Sequence, residues 1–292
     1  MGESASCEGP RRHNRPMAHV DGTLTSKDGT ELFFQHWSVE GPTKAVLCLV
    51  HGLGEHSGRY DHVAATFNAA GYAVIAFDTR GHGRSPGPRG HTPFDRTMED
   101  VSALLDRAAE LYPGLPRFLY GHSLGGLIVL THCLRVHPEI TGVVATSPGL
   151  ASPLLDQKLK IGAAKLLGSV LPTVSVPTGL DANLISRDPQ VVEVYLADPL
   201  VHDRSTLALG RDGAIAAEQA LARAGEIDVP LLIGHGTGDE ITYARGSEEF
   251  VSKVPGDKTL NLYEGQYHET HNEPERDEVL ADTIAWLDAH VA

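Results

Sequence analysis

The chemistry in this chain centres on a serine. Ser123 stands in Gly121-His122-Ser123-Leu124-Gly125, with a glycine two residues to either side of the hydroxyl. A serine oxygen attacks a carbonyl when a base takes its proton, and the base needs a carboxylate to fix its tautomer. Two polar turns downstream supply candidates: Asp239 ends His235-Gly236-Thr237-Gly238-Asp239, and His268 ends Glu264-Gly265-Gln266-Tyr267-His268. The order serine, acid, base is the one that accompanies a G-x-S-x-G turn between a strand and a helix. Read alone, the pentapeptide also fits a helix start capped by Ser123.

A second glycine-rich turn, His51-Gly52-Leu53-Gly54, offers backbone donors. In the strand–turn–helix arrangement, the oxyanion is received by the N–H after the nucleophile and by one from an earlier strand-end loop. Those donors are Leu124 and Leu53, and because the backbone supplies them their side chains are free to vary. Most of the 16 histidines must be bystanders. His235 is expected to pack or to hydrogen-bond within its turn, and His271 to sit near His268 on the following turn. Glu240 adjoins Asp239, but a turn after Gly238 favours the shorter side chain. No His, Cys or Glu cluster has metal-ligand spacing, so neither a metal nor a cofactor is expected.

These residues need elements to hold them at strand ends. Arg117–Tyr120 is a short apolar run before Ser123, and Gly126–Leu134 after it carries apolar residues at helical spacing. The expected order is a hairpin of two edge strands over 19–38 and a strand over 45–50. A helix over 61–70, closed by Gly71, and a strand over 72–78 follow. After a Gly- and Pro-rich loop over 78–91 come a helix over 98–111 and the nucleophile strand. Further strands are expected over 141–146, 229–234 and 259–263. Strands alternating with helices predict an α/β fold with a mostly parallel sheet and helices on both faces.

The alternation breaks between about 151 and 226, where helical patterns run without a strong strand. Such an interruption is expected to be an inserted cap. Its first part, 154–171, places Leu155, Leu159, Ala163, Leu166 and Val170 on one face. That face either packs on the core or forms a lid touching acyl chains or lipid. Lys158, Lys160 and Lys165 favour an interface locally. The predicted division is a polar leader over 1–16, a core over 17–151 and 227–292, and a cap over 152–226.

Composition narrows the partners. With 292 residues and 41% hydrophobic content, one large core is affordable. A net charge of −14 argues against nucleic acid and against charge-driven docking on anionic membranes. No apolar run approaches the ~18 residues of a membrane span, and no signal-peptide pattern opens the chain. Cys7, Cys48 and Cys133 are too scattered for a disulfide framework. A cytoplasmic location follows, with peripheral membrane contact through the cap; oligomeric state is not readable.

Longer segments now carry a resemblance. They are His51–Tyr60 (HGLGEHSGRY), Asp78–Ser85 (DTRGHGRS), Gly121–Gly126 (GHSLGG), Ser186–Pro189 (SRDP), Asp198–His202 (DPLVH), and Tyr267-His268-Glu269 leading to Asn272-Glu273-Pro274. Over residues 18–290 the chain resembles the monoacylglycerol lipase family of α/β-hydrolases, the bacterial members most. The resemblance implies a Ser123–Asp239–His268 triad, an oxyanion hole from Leu53 and Leu124, and a hydrophobic acyl tunnel under the cap. It implies that Glu55, Arg59 and His271 hold a glycerol headgroup; bracing of the loops by ion pairs is the alternative for these residues. The expected reaction is hydrolysis of a monoacylglycerol ester without metal or cofactor. A lysophospholipase or a broad carboxylesterase would use the same triad.

Overall fold

The computed structural model describes residues 18–157, 162 and 166–291. The leader over 1–16 and the side chains of Lys158, Leu159, Lys160, Ala163 and Lys165 lie outside the described residues. An eight-stranded sheet has the order β1-β2-β4-β3-β5-β6-β9-β10. Its strands are β1 (Ala18–Thr25), β2 (Glu31–Ser38), β3 (Ala45–Val50), β4 (Tyr72–Phe77), β5 (Arg117–His122), β6 (Gly142–Thr146), β9 (Leu231–Gly236) and β10 (Lys258–Tyr263). From β4 to β10 every neighbour is parallel.

The hairpin needs a correction. Only β1 is an edge strand; β2 pairs antiparallel with both β1 and β4 and so lies inside the sheet. Pairing on both sides buries Leu32, Phe34, Gln35 and Trp37.

Side-chain alternation splits the core in two. Val46, Cys48 and Val50 of β3 point into one apolar cluster, and Ala45, Leu47 and Leu49 into the other. The first is covered by α2 (Phe94–Leu111), α3 (Leu124–Val136), α5 (Leu207–Arg223) and α6 (Ala244–Lys253). The second is covered by α1 (Asp61–Ala69) and α7 (Arg276–His290). Helix α2 begins one turn earlier than the expected 98, because Pro93 sets its start and Phe94 continues the buried stripe of Met98, Val101 and Leu105. Burial pushes the Cys48 and Cys133 thiols up to about 12, so both pack as neutral apolar groups.

The stretch 152–226 is not purely helical. A two-stranded antiparallel ribbon joins β7 (Ser175–Pro177) to β8 (Arg204–Thr206). Between them runs α4 (Pro189–Ala197), started by the Asp188 carboxylate accepting from Gln190 N–H. Helix α5 presents Leu209 and an alanine face (Ala216, Ala217, Ala220) to the core cluster shared with α3, so it packs with the helix layer. The residues of this stretch that bond to the loops around Ser123 and His268 lie between Leu184 and His202. No helix among the described residues is long and apolar enough to cross a membrane.

Candidate active site

Ser123 sits at the tip of β5, at φ 55° and ψ −116°, a left-handed backbone for a residue with a side chain. Such a turn needs glycines where strand and helix backbones meet. A Cβ on Gly121 would lie 2.4 Å from Gly125 O, and one on Gly125 would lie 2.1 Å from Val50 O. The turn is pinned by Ser123 N–H donating to Thr146 O at 2.9 Å. It aims the hydroxyl at the loop after β10. There His268 Nε2 lies 2.8 Å from Ser123 Oγ, and His268 Nδ1 lies 2.7 Å from Asp239 Oδ2. Three residues that are far apart in sequence therefore form one hydrogen-bonded line.

Asp239 is held by more than His268. Its Oδ1 accepts from Ile241 N–H at 2.8 Å and Thr242 N–H at 2.9 Å. The Thr242 hydroxyl is 2.9 Å from Oδ2 and 3.0 Å from Ser147 O. Burial opposes ionisation, yet facing His268 and hydrogen bonds from His235 and His268 hold the carboxyl well below its usual range. Burial likewise disfavours the His268 cation, but Asp239 overrides it and raises His268 above the ordinary value. His122, beside the base with ring centroids 4.8 Å apart, is pushed down to about 3 by burial and by His268. It stays neutral, with Nδ1 3.1 Å from Thr146 Oγ1.

Leu53 and Leu124 flank the serine with their side chains half-buried. Among the described residues, neither backbone N–H is given to another acceptor. That arrangement suits receipt of an oxyanion. The next residue, Gly54, accepts His202 N–H at 2.8 Å, which ties this loop to the cap.

Glu55 and Arg59 are brought together, buried, in an ion pair of 2.7 Å. His271 is also buried, stacked on Tyr60 at 5.0 Å and edge-on to His122 at 4.8 Å. Burial, with His122 next, keeps it neutral, well below the usual value. His235, expected to act within its turn, has Nδ1 2.7 Å from Ser247 Oγ and Nε2 3.1 Å from Thr242 O; Nε2 also lies 3.2 Å from Asp239 Oδ2. Thr242, Glu269 and Glu273 were not singled out from the sequence. Glu273 accepts Arg187 N–H and Tyr267 N–H, each at 3.0 Å, and so joins the cap to the base loop. The only signal for it was its place in the Asn272-Glu273-Pro274 segment.

The site is nearly closed: Ser123 and His268 are 9% and 5% exposed. A cleft of about 740 Å³ opens outside it, between α4 and Tyr267, lined by Asn183, Ser186, Arg187, Val192 and Leu196. It reaches neither Ser123 nor His268. Among the described residues no group of His, Cys, Asp and Glu is arranged to hold a metal ion.

Comparison with known proteins gives the family. Residues 41–275 match the family described as Serine aminopeptidase, S33. The chain is 39% identical over 266 residues to a monoacylglycerol lipase from Mycolicibacterium smegmatis, covering 90% of this chain and 95% of that protein. It is 37% identical over 274 residues to an uncharacterized abhydrolase domain-containing protein from Dictyostelium discoideum, covering 92% of this chain but 29% of that longer protein. The crystal structure of a Paleococcus ferrophilus monoacylglycerol lipase superposes with a TM-score of 0.83 at 40% identity, covering 89% of this chain and 99% of the other.

Proposed function

The chain belongs to the monoacylglycerol lipase family of α/β-hydrolases, and on that premise we propose that it cleaves the ester of monoacylglycerols to glycerol and a free fatty acid. The observation that carries this reading is the unbroken line from Ser123 Oγ through His268 to Asp239, with contacts of 2.8 and 2.7 Å.

On this reading Ser123 attacks the ester carbonyl as His268 Nε2 takes its proton. Leu53 and Leu124 N–H groups receive the tetrahedral oxyanion, each donor worth about 3–4 kcal/mol of the barrier. His268, now protonated, gives its proton to the leaving glycerol oxygen. Water then attacks the acyl-enzyme, again with His268 as base, and frees the fatty acid. Asp239 stays ionised throughout and orients His268. Its low-lying carboxyl supports that role, because it remains anionic at any pH where the base works.

The cap, residues 152–206 in this assignment, would shelter the acyl chain and meet the lipid surface that supplies it. Leu166, Leu167, Val170 and Leu171 are exposed there, Val170 by 69% and Leu166 by 67%. A cluster of large apolar side chains in water favours an apolar partner, which supports peripheral contact with membranes or micelles.

A substrate panel tests the proposal, with Ser123→Ala as the blank. It compares monoacylglycerols of increasing length with di- and triacylglycerols, lysophosphatidylcholine and p-nitrophenyl esters. A kcat/KM maximum on monoacylglycerols is expected. Turnover of short activated esters alone would replace the lipase reading with a general esterase.

A further inference from the structure

Arg59 is enclosed between carboxylates that come from two different loops. Its Nη1 donates to Glu55 Oε2 and to Glu269 Oε1, and its Nη2 to Glu269 Oε2, all at 2.7 Å. The Arg59 side chain is 10% exposed and the two carboxylates 3% and 4%. Burial alone would weaken the guanidinium charge; Glu269 and Glu55 more than restore it.

The other atoms of this bridge are committed as well. Glu55 Oε1 accepts Gly52 N–H at 2.6 Å and Tyr60 O–H at 2.8 Å. Glu269 Oε2 also accepts Asn272 Nδ2 at 2.7 Å, and Glu269 N–H donates to Ile185 O at 2.7 Å. The Tyr195 ring of α4 lies over the guanidinium at 4.7 Å. Little of Arg59 is left to meet a substrate hydroxyl.

Each end of the bridge adjoins a group of the reacting centre. Gly52 precedes Leu53, and Glu269 follows His268. Their loops leave β3 and β10, which are separated in the sheet by β5, β6 and β9. Sheet hydrogen bonds therefore fix the distance between the loops only through three intervening strands, whereas the Glu55–Arg59–Glu269 bridge spans it directly.

We infer that Arg59 is a positioning residue: through Glu55 and Glu269 it sets the oxyanion loop and the base loop in register. The inference rests on the assignment of Ser123, Leu53 and His268 above. Oxyanion donors act at 2.7–3.1 Å, and a misplacement of about 1 Å costs on the order of 10²-fold in rate. A side chain that fixes this spacing affects every ester alike, whether or not it carries glycerol.

The test is steady-state kinetics on the full chain with monobutyrin and p-nitrophenyl butyrate, which share an acyl group while only the first carries glycerol. Rates are referred to the folded fraction measured by circular dichroism. Arg59→Lys, able to bridge less well, is expected to lower kcat about tenfold on both esters with little change in KM. The paired substitution Arg59→Met with Glu269→Met, which removes both charges together, is expected to lower kcat about 10²-fold on both. A rise in KM confined to monobutyrin, with p-nitrophenyl butyrate turnover intact, would overturn the inference and give Arg59 to the substrate. Unchanged kinetics on both esters would overturn it too. If the paired variant does not fold, Arg59→Lys decides by the same criteria. Ser123→Ala run in parallel separates the two levels: residual turnover there means the nucleophile assignment has failed, whereas an inactive Ser123→Ala beside a normal Arg59→Lys sinks only the bridge.

Discussion

His235 is a second imidazole on Asp239, with its Nε2 3.2 Å from Oδ2, the same oxygen that His268 Nδ1 approaches at 2.7 Å. Its neighbours fix its tautomer. Nε2 faces two acceptors, Thr242 O at 3.1 Å and Asp239 Oδ2, so it carries the hydrogen, and Nδ1 accepts from Ser247 O–H at 2.7 Å. Asp239 thus meets two imidazoles, one of which never reaches the serine.

His235→Leu removes a donor from a buried carboxylate that keeps two backbone N–H bonds. A hydrogen bond to a charged group is worth about 1.5–3 kcal/mol. We expect kcat/KM to fall about tenfold with the fold retained. A change of less than twofold would mean that Ile241, Thr242 and His268 suffice to hold Asp239.

The pH profile follows from the pair. His268 must be neutral to accept the serine proton, and Asp239 raises it above its ordinary 6.5. The rising acid limb of kcat/KM should therefore have its midpoint above 6.5. Asp239→Asn should move that midpoint downward and lower kcat on the order of 10⁴-fold. An acid limb that does not move in Asp239→Asn would count against Asp239 as the partner of the base.

Stability should respond to acid in two windows. Burial keeps His51, His82, His122 and His271 below the ordinary histidine value of 6.5. The unfolded chain binds protons there that the folded chain refuses, so stability is lost as pH falls below 6.5. The depressed carboxyls of Asp239 and Glu269 add a second loss below their unfolded values of 3.8 and 4.5. His268 has the opposite sign: its contribution is complete below 6.5 and fades as pH rises through its raised value. His36, His62, His91, His132 and His202 are lowered as well, and nine groups against one predict a Tm lower at pH 5 than at pH 7.5 by about 5 °C or more. A flat Tm over that range would contradict the neutral burial of these rings.

Contact with lipid should map to the cap. Leu166→Glu with Val170→Glu is expected to weaken sedimentation with phosphatidylcholine vesicles about tenfold or more, since each buried aliphatic side chain is worth about 1.5–3 kcal/mol. Turnover of a water-soluble p-nitrophenyl ester should stay within twofold. Equal vesicle binding by the variant would remove the cap as the contact surface.

Much of this site was legible because its constraints are local. Gly121 and Gly125 announce the turn at Ser123, and apolar runs mark the strands whose ends carry Asp239 and His268. The pair Glu55 and Arg59 could be suspected as an ion pair at four-residue spacing. Their common partner Glu269 could not, because it lies 210 positions from Arg59 and no local pattern links them. Thr242 was invisible for a related reason: its role depends on the turn that folds its hydroxyl back onto Asp239. The β7–β8 ribbon escaped because three residues are too few to establish an alternation, and Pro177 argues against a strand. Helix α5 read as part of the cap since its small alanine face carries little hydrophobic contrast.

The bonds from Glu269 N–H to Ile185 O at 2.7 Å and from His202 N–H to Gly54 O at 2.8 Å have an architectural consequence. They make residues 184–202 a brace that holds the loop carrying His268 and the loop carrying Leu53 at once. A chimera that exchanged this segment for that of a relative is expected to disturb both of these loops.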